Sequence, residues 1–141
     1  MSDSAVINQF LEDAFPTPPL LPEDPHDRAI GSSWIDYINR EVVPAFVRLL
    51  QAQKDEPEKQ RAARHELKRA LENISQHRRG KFFFGESFSL VDATIAPWIV
   101  RDFIAEDFRG FKREDVGNDW KGWADAIESR PSVVKTSSVS D

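Results

Sequence analysis

The chain has 141 residues, of which 19 are Lys or Arg and 24 are Asp or Glu, giving a formal net charge of −5, and it contains no Cys. That length fits one domain, and four Trp with ten Phe suffice for a single apolar core. The absence of Cys excludes disulfides, thiolate metal sites and cysteine nucleophiles, and the acidic balance argues against general attraction to nucleic acid.

The first residues, Ser2, Asp3 and Ser4, are polar, and no apolar run approaches the roughly 20 residues that a membrane span requires. A cytoplasmic protein without membrane attachment is the expectation. From Ser4, a plausible N-cap, Val6, Ile7, Phe10, Leu11 and Ala14 fall on one helical stripe. The prolines Pro16, Pro18, Pro19 and Pro22 then end that helix and read as a stiff, extended connector, the clearest boundary in the chain.

Asp24-Pro25 reads as a cap followed by Pro at the first helical position. Ile30, Trp34, Ile38, Val42, Phe46 and Leu49 recur every three or four residues behind it, and Pro44 within the run predicts a kink. A break over residues 54–57 precedes a charged amphipathic helix with Leu67, Ala70, Leu71 and Ile74 inside, ending near Gly80 and packing antiparallel to its predecessor. The basic cluster His77, Arg78, Arg79 and Lys81 reads as its solvated end. Residues 81–85 could form a short strand, but with no partner strand elsewhere they are expected to make a buried loop.

Ser89-Leu90-Val91-Asp92 has the pattern of a capping box, in which the Ser89 hydroxyl takes the amide at Asp92 while the carboxylate reaches back. Ala93, Ile95, Ala96, Trp98 and Ile99 make the helix that follows apolar nearly all round, so it should lie at the centre. A polar stretch over residues 109–119 leads to a last helix carrying Trp120, Trp123, Ala124 and Ile127, stopped by Pro131, and residues 136–141 read as a tail with too little apolar content to order itself. No repeat and no nucleotide-binding glycine pattern appears, so the fold class is all-α, a helix bundle. His26, His65 and His77 stand singly without a base or nucleophile nearby in sequence, and the carboxylates lack His or Cys at metal-ligand spacing, so no metal site is expected. The pairs Glu106-Asp107 and Glu114-Asp115 read as solvated loop charges.

Three stretches together resemble the C-terminal domain of omega-like glutathione S-transferases. The first runs from Asp3 through Phe10-Leu11-Glu12-Asp13 to Leu20-Leu21-Pro22 and Asp24-Pro25; the second is Gly85-Glu86-Ser87-Phe88 with the capping box Ser89 to Asp92, continued by Ala96-Pro97-Trp98 and Arg101; the third is Trp120 and Trp123 with Arg130-Pro131-Ser132-Val133. The resemblance implies that residues 1–22 are the last helix of a thioredoxin-like domain plus the interdomain linker, that residues 23–135 are the all-helical domain of the transferase C-terminal type, and that 136–141 are a flexible tail. It also implies that the family's catalytic Cys, Ser or Tyr and most glutathione contacts belong to a domain this sequence does not contain. Asp3-Ser4 matches the acid-and-serine remnant that grips the γ-glutamyl end of glutathione, a carboxylate suited to an ammonium and a hydroxyl to a carboxylate.

By the same resemblance the acceptor-substrate wall falls to Ser33, Trp34, Tyr37 and Ile38 on the kinked helix, Trp98 and Arg101 on the central one, and Trp123 on the last. Aromatic residues at helical spacing are as readily core, and Arg101 could reach either a ligand or a carboxylate such as Asp102 or Asp36. Arg101 and Tyr37 are the candidates for stabilising developing negative charge, while Ser89 and Asp92 form a structural cap. The expected function is a glutathione-transferase-like protein of biosynthesis or detoxification that binds an apolar or aromatic small molecule, with no required cofactor and glutathione as the candidate co-substrate. The alternative is a non-catalytic dimerisation or assembly module, and a homodimer or a partner domain is expected in either case.

Overall fold

The computed structural model describes residues 20–130. Helix α1, Pro25–Tyr37, starts as its cap dictates: Asp24 Oδ2 accepts the Asp27 amide at 3.0 Å and Pro25 occupies the first turn. The chain passes into a π-helical turn, Ile38–Val42, and then into α2, Val43–Gln51. Pro44 explains the wider turn, because it has no N–H to give the carbonyl one turn back and its ring crowds that carbonyl. The kink expected at Pro44 thus takes the form of a π turn placed just before it.

Helix α3, Pro57–Ser75, lies antiparallel to α1 and α2, since the Tyr37 hydroxyl donates to the Ala70 carbonyl at 2.8 Å while Arg48, further along its helix, pairs with Glu66, earlier on α3. The helix ends at Ser75, short of Gly80, and the basic segment beyond it is more engaged than a solvated end. Arg78 donates to the carbonyls of Gly80 and Asp119, and Arg79 forms a forked pair with Asp27 at 3.2 and 3.0 Å. Residues 81–85 make a tight turn with one isolated bridge between Phe82 and Gly85, and both Phe82 and Phe83 are buried.

Helix α4, Leu90–Val100, occupies the centre, with residues 91–97 all buried. Its first free N–H, that of Leu90, donates to the Leu20 carbonyl at 3.2 Å, which fixes the end of the connector against the helix. Leu21 also packs against α1 at Gly31, where a Cβ would come within 2.4 Å of Leu21 Cδ2.

The last third differs from the sequence expectation. Ahead of the polar stretch expected over residues 109–119 the chain forms a separate helix α5, Asp102–Arg109, and within that stretch a one-turn helix α6, Arg113–Val116, before α7, Asn118–Glu128. Glu106-Asp107 and Glu114-Asp115 are therefore helical charges; Asp115 accepts the Lys112 amide at 3.0 Å. Helix α5 closes on Gly110 at φ 65°, the left-handed position that favours glycine.

Arg113 joins these helices. It donates to Asp102 at 2.6 and 3.1 Å and to Asp125 at 2.7 Å, contacts Glu128 at 2.8 Å, and reaches the Ile99 carbonyl at 3.3 Å. Arg109 caps the end of α2, donating to the carbonyls of Leu49 and Leu50 at 3.1 and 2.8 Å. The core gathers Ile38, Leu49, Leu67 and Leu71 from the first helices with Phe83, Ile95, Trp120 and Trp123 from the rest.

Candidate functional site

The aromatic residues expected on one wall separate into two groups. Trp34, half-buried on α1, meets the Tyr37 ring edge-on at 5.1 Å, tilts over His77 at 4.7 Å and meets Phe83 at 6.0 Å. Ser33 beside it is exposed, whereas Ile38 is wholly inside the core. Burial raises the Tyr37 phenol above its ordinary 10.0, so it remains a hydrogen-bond donor at neutral pH.

Trp98 belongs to the second group, where it stacks on Phe46 of α2 with centroids 5.9 Å apart. Its side chain is half-buried, and its indole nitrogen is buried without a hydrogen-bond partner. An orphaned donor of this kind costs about 1–3 kcal/mol unless an acceptor reaches it.

Arg101 does not sit within the apolar helix. It is the exposed junction between α4 and α5, with φ −104° and ψ 1°. The carboxylates considered as its structural partners are engaged elsewhere, Asp102 with Arg113 and Asp36 with Arg40. The Arg101 side chain makes no hydrogen bond or ion pair among the described residues, while its backbone accepts the Ile104 amide at 3.1 Å.

Trp123 has no exposed surface, and its indole N–H donates to Asp92 Oδ1 at 2.8 Å. Asp92 is equally buried. It also accepts the Phe83 amide at 2.9 Å on Oδ1, and the amide and hydroxyl of Ser89, both at 2.8 Å, on Oδ2. The Asp92 carboxylate makes its half of the capping box by accepting the Ser89 amide, the Ser89 hydroxyl donates to that carboxylate as well, and the same group ties the 81–85 turn and α7 to the start of α4. Burial pushes this carboxyl above its ordinary 3.8, with the four donors opposing that shift. The pair Asp3-Ser4 lies outside the described residues.

A groove the sequence did not single out opens on the other side of Tyr37, between the π turn and α3. It has a volume of about 500 Å³ and is floored by Ala62 and Ala70. Tyr37 and Glu41 form one side, and His65, Glu66, Arg69 and Asn73 the other. His65, Arg69 and Asn73 recur at i, i+4, i+8 along α3, a row that in sequence looks like any solvated helix face. The described residues hold no cluster of three or more potential metal ligands, and none of their helices is long and apolar enough to cross a membrane.

Residues 41–126 match the family model of the glutathione S-transferase C-terminal domain, more than half of the chain. The chain belongs to this family. A probable glutathione S-transferase of Oryza sativa subsp. japonica is 33% identical to it, over 96% of this chain and 62% of the relative. A probable glutathione S-transferase of Nicotiana tabacum, parC, is 32% identical over 95% and 61%. Among solved structures, glutathione transferase Omega 3C from Trametes versicolor superposes with a TM-score of 0.81 at 44% identity, covering 94% of this chain and 60% of its own. Rice GST1, solved in complex with glutathione, gives a TM-score of 0.72 at 32% identity, covering 96% and 64%. This transferase C-terminal domain is thus all-helical among its described residues, and the chain spans about three-fifths of the length of those relatives. The omega-like resemblance read from the connector, the capping box and the closing helices agrees with the Trametes match.

Proposed function

We propose that the chain is the small-molecule-binding helical domain of a glutathione-transferase-like protein, taking an apolar or aromatic compound at Trp98, Phe46 and Arg101. One observation carries this reading: the buried indole N–H of Trp98 has no acceptor, on a residue stacked against Phe46 and three positions before an unpaired arginine. A flat aromatic carrying a carboxylate or carbonyl would stack there, satisfy the indole and meet the guanidinium. Trp34 and Tyr37 form a separate aromatic cluster. Glutathione enters as a co-substrate, with Asp3-Ser4 matching the acid-and-serine pair that takes its γ-glutamyl end. Detoxification or biosynthesis in the cytoplasm is the setting this reading favours.

The test is a titration of tryptophan fluorescence with 2-naphthoate, with and without glutathione. Saturable quenching without glutathione, weakened about tenfold in Arg101→Ala and Trp98→Phe, is the expected result. A folded chain that shows no saturable quenching would move the assignment to a dimerisation or assembly module. That second reading has its own observation: Phe103 and Phe108 of α5 are 55% and 65% exposed. It predicts a homodimer or a complex with a partner domain.

A further inference from the structure

Helix α7 begins without a capping side chain. Gly117 stands at the cap position with φ 136°, so the amides of Asn118, Asp119 and Trp120 have neither an intrahelical partner nor a capping oxygen among the described residues. They open on a cavity of about 400 Å³ between the start of α7 and the end of α3, where Arg69 and Glu72 line the other side. A free helix start alone is ordinary, because water satisfies it.

The second donor at this cavity is not ordinary. Trp120 is only 1% exposed, and its ring is held edge-on against Trp123 with centroids 5.8 Å apart. Its indole N–H makes no hydrogen bond among the described residues. Unlike the Trp98 nitrogen it is not sealed inside the protein, so the little surface that Trp120 keeps lies at the nitrogen, toward the cavity that the ring lines. Buried indoles normally find an acceptor. Three peptide N–H groups and an indole N–H thus meet one cavity, and none of the acceptors that line it takes them. The charges around the cavity narrow the class of ligand. The helix start carries about half an elementary charge and favours an anion, as does Arg69. Glu72 and Asp119, both exposed, oppose it and weigh most heavily against a dianion.

We infer that this cavity is a carboxylate site, in which one oxygen of a small monocarboxylate accepts from the first amides of α7 and the other from the indole N–H of Trp120. A single charge keeps the repulsion from Glu72 and Asp119 small, and two oxygens with four lone-pair sites match four donors. The inference is independent of the aromatic-site reading, because it uses neither Trp98 nor Arg101.

The test is a titration of the ¹⁵N-labelled full chain with propionate, read at the indole and backbone N–H resonances, with propionamide, phosphate and chloride at equal ionic strength as comparisons. The expected result is a saturable shift of the Trp120 indole and of the amides of Asn118 and Asp119, with propionamide and phosphate both weaker. Trp120→Phe, which also assigns the indole resonance, should weaken propionate about tenfold, the worth of one hydrogen bond to a charged group. Asn118→Pro removes one amide at a position where proline suits a helix and should weaken binding too, whereas Glu72→Gln should tighten it. Both of these positions are exposed, and an unchanged thermal transition confirms that each variant is folded. An equal shift of the indole by propionamide or chloride would overturn the inference, as would the absence of a saturable shift in the folded wild type. Tighter binding of phosphate than of propionate would overturn the carboxylate assignment. Arg101→Ala should weaken naphthoate and leave propionate unchanged; loss of propionate in that variant would place the carboxylate at the aromatic site and overturn the inference.

Discussion

The indole N–H of Trp123 and the Oδ1 of Asp92 meet at 2.8 Å in the centre of the molecule, 31 residues apart in sequence. The oxygen that takes the indole also takes the Phe83 amide, and the other takes both donors of Ser89. Replacing Asp92 with Ala strands four buried donors at once, so the cost should exceed that of an ordinary cap, about 3–5 kcal/mol against about 1. Asp92→Asn should recover little of this, because its NH₂ faces donors. Trp123→Phe removes one bond and some volume and should cost about 1–3 kcal/mol. Urea unfolding of the two single variants and the double variant should show strong coupling; additive effects would mean that the pair does not act as a unit.

The capping boundary was legible because its signal is local: Ser89 and Asp92 are three residues apart and so are Asp24 and Asp27, and each pair closes its own turn. The central position of α4 followed from apolar residues on every side. What escaped was the arrangement of residues 102–116. Ile104, Ala105 and Phe108 have helical spacing, but Glu106-Asp107 and Glu114-Asp115 read as solvated loop charges and residues 109–119 as a polar stretch. Arg113 could not be recognised as a tie because its partners, Asp102, Asp125 and Glu128, are scattered over 27 positions and meet only after three helices have packed. The same holds for the site: the family resemblance groups Trp34 with Trp98 on one wall, but the chain places them with different neighbours, His77 and Phe83 for one and Phe46 for the other.

Arg113 is 14% exposed and Asp102 16%, so truncating the arginine leaves a largely buried carboxylate without its cation. Arg113→Met should destabilise the fold by about 2–4 kcal/mol, toward the lower end because Asp125 and Glu128 are nearly half exposed and recover water. Lys cannot reproduce the two bonds to Asp102 from one nitrogen fork, so Arg113→Lys should recover only part of the loss. If both variants unfolded at the wild-type urea midpoint, the cluster would be ornamental to stability.

Gly31 sets two effects of similar size against each other. Alanine in the middle of α1 gains up to about 1 kcal/mol of helix propensity, yet its Cβ would lie 2.4 Å from Leu21 Cδ2 and 3.3 Å from the Phe84 ring. Leu21 offers the far end of a flexible side chain and can turn aside, so Gly31→Ala should change stability by less than about 1 kcal/mol. Gly31→Leu has no such escape and should cost about 2–3 kcal/mol by overpacking. Faster proteolytic cleavage near Leu21 in Gly31→Ala would show that the connector has yielded; unaltered cleavage with a stabilised fold would mean that the contact never held it.

The forked pair of Arg79 with Asp27 makes a prediction with a definite sign. The guanidinium holds the Asp27 carboxyl below its ordinary 3.8, so the stabilisation it brings is present above that pH and is lost as the pH falls through the folded-state value. Burial raises Asp92 and Asp102, whose linkage has the opposite sense, with stability lost as the pH rises through their folded-state values. The informative quantity is therefore the difference between wild type and Asp27→Asn, in which those two contributions cancel. Denaturant unfolding at a series of pH values should find the wild type more stable at pH 6 and the two proteins converging as the pH drops below 3.8. The gap should also narrow in high salt, because Arg79 is 45% exposed. A gap that persisted unchanged at pH 2.5 would assign it to packing around Asp27, and the ion pair would carry none of it.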